Sequence, residues 1–389
     1  MHRHGSGERS VPVYKAVFTM CSFFRQLWKR LFCPTGVPDA IVSTFHPYYI
    51  LQMGMLIRAL NVAAELDIAD RLHERKKMSV EELAAETGVQ VEPLYRTLRA
   101  LAAFGFFREQ PAGRVFVNTK RSSHYLCSNT EGSVKDWILT ETGEEFTRSV
   151  LRSLDVVKTG QSGCQIEFGT HLYDLLYNEP GHEKTRHAFV RGQGKFTEWQ
   201  SRSIARTYDF RSVNKVVDIA GGHGFMISRI LQAHSHLRGA MVDRAFSIEQ
   251  AKKTVVDCGV ADRCELVVGD MFDAATLPKD GDLYTLKHVL WDWDDAHALK
   301  ILQSIRKVIP PHAKFLIVEN SLSSDNDVDG LGKLFDLNLM YCFYGKSRTK
   351  EEWIELTRVA GFSLERIQLS RWYEFYLHDV KLMSFKPVG

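Results

Sequence analysis

The sequence predicts an α/β chain: a doubly wound, mostly parallel sheet that closes in a terminal antiparallel hairpin, preceded by an all-helical, winged-helix domain. Three observations predict it. An apolar run over 216–220 breaks into Gly221-Gly222-His223-Gly224 and then at once into a helical pattern, with Phe225, Ile227, Ile230 and Leu231 on one face. Strand-like and helix-like segments alternate from there, with strands expected at 216–220, 239–243, 264–268, 282–288 and 313–319. Two last strand-like runs, 363–369 and 372–385, are joined by a very short turn and must therefore be antiparallel.

At 389 residues, 44% hydrophobic and 25% charged, the chain is long enough for two domains. Its formal net charge of +3 is too mild to demand a nucleic-acid partner. The seven cysteines are scattered, with no Cys-x-x-Cys, which fits a reducing, cytoplasmic setting. No His-Glu-x-x-His occurs and the fifteen histidines show no ligand spacing, so no metal is expected.

Residues 1–40 read as a basic leader. Lys15, Arg25, Lys29 and Arg30 interrupt its apolar stretch, so it cannot supply the roughly 20-residue span of a membrane helix. Arg25 and Lys29 also stand where a signal peptide would place its small-residue cleavage site. Phe23, Phe24, Leu27, Trp28, Leu31 and Phe32 form one apolar face, so the segment 11–33 suits either weak contact with an anionic membrane surface or packing on protein. Packing is the preferred reading.

Over 41–130 a long apolar-periodic helix is expected at 49–66. Ser79-Val-Glu-Glu82 is a capping box opening a helix that ends near Gly88. A second helix follows at 92–104 and a hairpin at 105–117. Helix-turn-helix plus hairpin is a winged helix. Its second helix offers only Arg96 and Arg99 as bases, too few for a phosphate-binding face, so dimerisation is the expected use. The region 131–208 is helical and rich in aromatics, among them Tyr173, Tyr177, Phe189 and Phe196, which either wall a substrate pocket or fill the space between domains. Residues 209–389 carry the sheet.

In an open α/β sheet the ligand lies outside the carboxyl ends of the strands. Asp218 and the turn with Gly222 and Gly224 close the first strand, Asp243 the second and Gly269-Asp270-Met271-Phe272 the third. Leu286-Lys287-His288 with Val289 to Asp295 closes the fourth, and Glu319-Asn320 the fifth. Asp243, about 20 residues past the turn, suits two ribose hydroxyls. Asp270 suits an exocyclic adenine amine, with Met271 against the ring.

These segments, together with Gly345-Lys-Ser-Arg-Thr349, resemble the S-adenosylmethionine-dependent O-methyltransferases of the caffeate and acetylserotonin type, from about residue 45 to the end. The resemblance implies a class I methyltransferase sheet, a homodimer formed through the N-terminal domain, and a phenolic or polycyclic small-molecule acceptor. It implies that the turn 220–224 holds the methionine part of S-adenosylmethionine, Asp243 the ribose, Asp270 and Met271 the adenine, and that Lys287 reaches the cofactor from the fourth strand. Ala220 replaces the family's first glycine, which the turn accommodates if φ there is negative.

Two departures fall at the chemistry. Trp291 stands where the family has its general-base histidine, and indole has no basic lone pair. Ser347 stands where the family often has a glutamate that orients that histidine, while Glu319 matches the other orienting carboxylate. Three readings follow. Methyl transfer survives by proximity to the sulfonium, with His288 as a substitute group. The site runs non-methylating chemistry of the hydroxylation or pericyclic type, with Trp291 as a pocket wall and Asp292 as a candidate polar group. Or the protein is a non-catalytic binding or regulatory one. Methyl transfer to a hydroxyl is preferred. His288, three residues from Trp291 along a strand, is expected to face the other side of the sheet.

Overall fold

The structure, a computed structural model, describes residues 47–111, 113–324, 330–370 and 380–388. The leader 1–40, its segment 11–33, and the very short turn expected between the last two strands lie outside them.

α1 (Pro47–Glu65) and α2 (Ile68–Arg75) open the described chain. β1 (Met78–Ser79), which the sequence pattern did not announce, leads into α3 (Val80–Thr87). The capping box is present: Ser79 Oγ accepts from Glu82 N, and Ser79 N donates back to Glu82 Oε2 at 2.7 Å. α3 stops at Gly88, which takes the left-handed backbone that glycine adopts without strain. α4 (Val91–Ala103) buries Leu94, Leu98 and Leu101, one stripe at helical spacing. β2 (Phe107–Glu109) and β3 (Val115–Asn118) form the hairpin, and β1 adds to β3.

α5 (Lys120–Tyr125) ends this part. Five short helices follow: α6 (Lys135–Glu141), α7 (Glu144–Leu151), α8 (Ser153–Thr159), α9 (Gly163–Phe168) and α10 (Leu172–Asn178). The long α11 (Glu183–Thr207) then leads to the sheet.

The sheet contains β4 (Lys215–Ile219), β5 (Arg238–Asp243), β6 (Cys264–Val268), β7 (Leu283–Lys287), β8 (Lys314–Glu319), β9 (Phe362–Ser370) and β10 (Val380–Pro387). Their order is β6-β5-β4-β7-β8-β10-β9. β4 to β8 pair in parallel, and β10 runs antiparallel to both its neighbours, so it is the one reversed strand. The helices of this part are α12 (Phe225–Ala233), α13 (Ala245–Asp257), α14 (Asp295–Val308), α15 (Gly330–Cys342) and α16 (Lys350–Val359). Strand alternation feeds two cores. Phe315 and Ile317 join Tyr284, Ile301 and Trp353 on one face, while Leu316 and Val318 join Ile227 and Met241 on the other. Strand order reverses between β4 and β7, and that switch point opens the crevice where α/β sheets bind ligands. No helix among the described residues is long and apolar enough to cross a membrane.

Candidate active site

A cavity of about 1150 Å³ occupies the crevice. That lies just past the upper end of the ~300–1,000 Å³ range of small-molecule sites. Its floor is the glycine turn after β4. Gly221 admits no side chain, because a Cβ there would lie 2.7 Å from Met241 Cγ and 3.0 Å from Asp218 Oδ2. Gly222, at φ +59°, has open space where its Cβ would be, and Gly224, at φ +74°, caps α12. Ala220 is also left-handed, at φ +53°, so the negative φ expected there is not found. The chain must lift straight off the end of β4 into the turn, and it takes this conformation despite the alanine methyl.

Asp243 binds the turn directly. Gly222 N donates to its Oδ2 at 2.8 Å and Arg244 N to its Oδ1 at 2.7 Å. Burial raises its pKa, and those amides oppose the rise. Asp218 accepts from Thr285 Oγ1 at 2.8 Å through Oδ1, while its buried Oδ2 has no partner; burial pushes its pKa up to about 7. Lys287, at the end of β7, donates to Thr197 Oγ1 at 3.2 Å and sits 5.8 Å from the centre of the Phe196 ring. Burial pulls its pKa down to about 7, against the pull of Glu319 and Asp218. Met271 lines the cavity. Asp270 is not among the lining residues: it is exposed, and its Oδ1 accepts from Phe272 N at 2.9 Å.

The other half of the cavity is aromatic. Tyr173 and Tyr177 of α10, Phe189 and Phe196 of α11, Phe146 of α7 and Phe335 of α15 wall it. β7 ends at Lys287, and His288 turns the chain with a left-handed φ of +52°. A 3-10 turn, Leu290–Asp292, follows. Glu319, fully buried at the end of β8, holds this turn from below. Its Oε1 accepts from Val289 N at 2.9 Å and Leu290 N at 3.1 Å, and its Oε2 lies 3.3 Å from His288 Nδ1. Burial, and then the Asp292 charge, push the Glu319 pKa up to about 8.

His288 and Trp291 do not face opposite sides of the sheet. Their rings stack with centroids 4.1 Å apart and planes 15° apart. The strand has ended before either residue, so strand alternation does not apply to them. His288 Nε2 lies 2.8 Å from Gln200 Oε1, to which it donates. Its Nδ1 lone pair then faces Glu319, whose raised pKa leaves a proton to share. Burial holds the His288 pKa well below the usual histidine range. Trp291 also packs against Phe335, with ring centroids 4.9 Å apart, and lines the cavity. Ser347 lies outside the cavity lining, and its N donates to Asp336 Oδ1 at 2.7 Å.

Asp292 reaches the cavity. The Tyr173 hydroxyl donates to its Oδ2 at 2.8 Å. Burial pushes the Asp292 pKa up to about 8, against that hydrogen bond, and holds the Tyr173 phenol well above its usual value. The sequence marks Tyr173 only as a wall or core aromatic; its pairing with Asp292, 119 residues away, is not readable from spacing.

A nucleoside crevice at the switch point, opening into an aromatic acceptor chamber, defines a class I methyltransferase. A family profile described as the O-methyltransferase domain matches residues 153–363, and one described as the O-methyltransferase dimerisation domain matches residues 49–128. The chain is 35% identical to a phenazine O-methyltransferase, PhzM, of Lysobacter antibioticus over 310 residues, 80% of this chain and 88% of that one. It is 30% identical to a mitomycin biosynthesis 6-O-methyltransferase of Streptomyces lavendulae over 317 residues, 82% and 88% of the two chains. The solved structure of the mitomycin 7-O-methyltransferase MmcR superposes with a TM-score of 0.79 at 28% identity, covering 87% of this chain and 96% of that one. The chain belongs to the S-adenosylmethionine-dependent O-methyltransferase family. The residues present fit that cofactor: the turn leaves open space at Gly222, the Asp218 Oδ2 acceptor is unmet, and Asp243 is already fixed by two amides.

Proposed function

We propose that this chain methylates a hydroxyl of a small aromatic molecule held in the aromatic chamber, with Asp292 taking the hydroxyl proton. The observation that carries this reading is the Tyr173–Asp292 pair in the chamber wall. Bound S-adenosylmethionine supplies an electrophilic methyl group on a sulfonium. The turn 220–224 would hold its methionine end, Asp243 its ribose hydroxyls, Met271 and the Asp270 segment its adenine, and Lys287 a further polar contact from β7. The chain itself orients the acceptor between aromatic faces and excludes water from it. Asp292 accepts the proton, and Tyr173 stabilises the resulting position of its carboxylate. Glu319 is a positioning residue, since it reaches only the backbone of the 3-10 turn and His288. His288 has both ring nitrogens engaged and is a support for Trp291. Trp291 is a wall. The names of the two relatives, a phenazine and a mitomycin O-methyltransferase, favour a polycyclic acceptor.

On this reading the chain divides into a leader (1–40), a winged-helix dimerisation domain (41–130), a helical acceptor region (131–208) and a cofactor domain (209–389). The exposed Ile50, Leu51 and Met55 of α1 give the homodimer an apolar face. The free thiols, mostly buried, suit the cytoplasm. The test is incubation with S-adenosylmethionine and a panel of polycyclic phenols. A product one CH₂ heavier is expected, formed by the wild type and at least 100-fold more slowly by Asp292→Asn, since general-base help is typically worth ~10²–10⁴-fold. An undiminished rate in that variant would remove Asp292 from the chemistry.

A further inference from the structure

We infer that the acceptor carries a protonated amine in addition to the hydroxyl that is methylated, and that Glu141 is the residue that reads it. Glu141 is the last residue of α6 and lines the aromatic chamber beside Trp137 and Ile138 of the same helix and Phe146 of α7. Its side chain is exposed to the open cavity, and the surrounding chamber wall raises its pKa by desolvation. Among the described residues it has neither a hydrogen bond nor an ion pair. The neighbouring buried acids each have at least one partner, although Glu145 Oε2 is itself unmet. Asp136 accepts from Arg191 Nε and Lys195 Nζ, each at 2.8 Å, and Glu145 Oε1 lies 2.7 Å from His182 Nδ1. Arg58 of α1 lines the same chamber but donates to Thr142 O at 3.4 Å and Thr147 Oγ1 at 3.3 Å, not to Glu141.

An acid with no partner in an apolar wall is costly to keep ionised. A ligand that brings an ammonium group removes that cost and gains a charge-assisted hydrogen bond. The half-buried indole of Trp137, on the same wall, adds an aromatic surface on which a cation is attracted. A neutral hydrocarbon acceptor would leave Glu141 unmet. The inference deepens the methyl-transfer reading and rests on it for the identity of the chamber.

The experiment uses ring-matched pairs of hydroxy-aromatics, one member carrying an aminoethyl chain and the other a propyl chain. Each is titrated by calorimetry onto the full-length protein loaded with S-adenosylhomocysteine. The wild type should bind the amine about 10-fold more tightly or better, the scale of a hydrogen bond between charged groups. Glu141→Gln should equalise the pair without changing affinity for S-adenosylhomocysteine, and Glu141→Lys should turn the preference toward a carboxyethyl member. Equal binding of the pair to wild type, survival of the preference in Glu141→Gln, or no binding of either member would overturn the inference. Binding with the expected preference but without methylated product would instead count against the methyl-transfer reading and leave the role of Glu141 standing.

Discussion

The Tyr173 hydroxyl of α10 and the Asp292 carboxylate of the turn after β7 are joined by a 2.8 Å hydrogen bond inside the cavity wall. The bond favours the ionised acid, while burial opposes it and leaves the Asp292 pKa at about 8. A base works only when ionised, so methyl transfer should rise with pH and level off above about 8. Tyr173→Phe keeps the ring packing but removes a hydrogen bond to a charged group, worth about 1.5 kcal/mol or more. The rising limb of kcat should therefore move about one pH unit to the alkaline side. A profile measured from pH 6 to 10 that stays in place would separate Tyr173 from the chemistry.

The same burial makes a stability prediction for Asp292→Asn. An unfolded aspartate ionises near pH ~3.9, whereas in the folded protein Asp292 keeps its proton to about pH 8. Between these values the folded state binds more protons than the unfolded one, so its stability falls as pH rises and changes no further above the folded pKa. Asparagine does not titrate. The melting temperature of Asp292→Asn minus that of wild type should become steadily more positive from pH 5 to 8 and then flatten. Glu319 is raised mainly by burial, so most of its slope is common to both proteins, and loss of the Asp292 charge, which lowers the Glu319 pKa, adds to the difference in the same direction. A difference that is constant across this range would mean that Asp292 titrates normally.

Ala220 at φ +53° makes a prediction at the cofactor turn. A left-handed non-glycine residue costs roughly 1–2 kcal/mol, and glycine returns about 0.5–1 kcal/mol of that through its freer unfolded chain. Ala220→Gly should gain about 0.5 kcal/mol net, a rise of about 1–2 °C in melting temperature for a domain of this size. Ala220→Val should lower it, because a branched side chain is a true outlier in this conformation. Differential scanning calorimetry of both variants gives the two signs. A fall in both would show that the methyl packing against the core under the turn matters more than the backbone conformation.

The parts legible in the sequence are those whose signal is local. The apolar run, the glycines and the acid at Asp243 sit within one βαβ unit, and Gly222 N does reach Asp243. The terminal antiparallel pair announced the reversed strand. Asp270 was readable as the end of a strand, but not the turn that points its carboxylate at Phe272 N. His288 and Trp291 escaped because strand alternation was carried past Lys287, where the strand stops and a left-handed residue redirects the chain. That Tyr173 meets Asp292, or that Glu141 lacks a partner, leaves no trace in spacing, since only packing of the helical region on the sheet brings such residues to one wall.

Trp291→His tests what the departure at this position does to the enzyme. The indole packs against His288 and Phe335 and belongs to the aromatic core with Phe146, Phe189 and Phe343. Shrinking it to imidazole leaves part of that space empty. Trp→Ala changes cost about 3–5 kcal/mol, so a loss of about 2–3 kcal/mol is expected in chemical denaturation. Below pH 8 the wild type works with Asp292 largely protonated. An imidazole with an ordinary pKa near ~6.5 is available there. General-base help is typically worth ~10²–10⁴-fold, so even a poorly aimed ring should lift kcat at pH 6.5 by about 10-fold. At pH 9, where Asp292 is ionised in both proteins, the gain should shrink. The signature is thus a less stable protein that is faster at acidic pH, with unchanged affinity for S-adenosylmethionine. Intact cofactor binding with no gain at pH 6.5 would show that the side chain at 291 does not approach the acceptor hydroxyl, and that the wall it forms is its whole contribution.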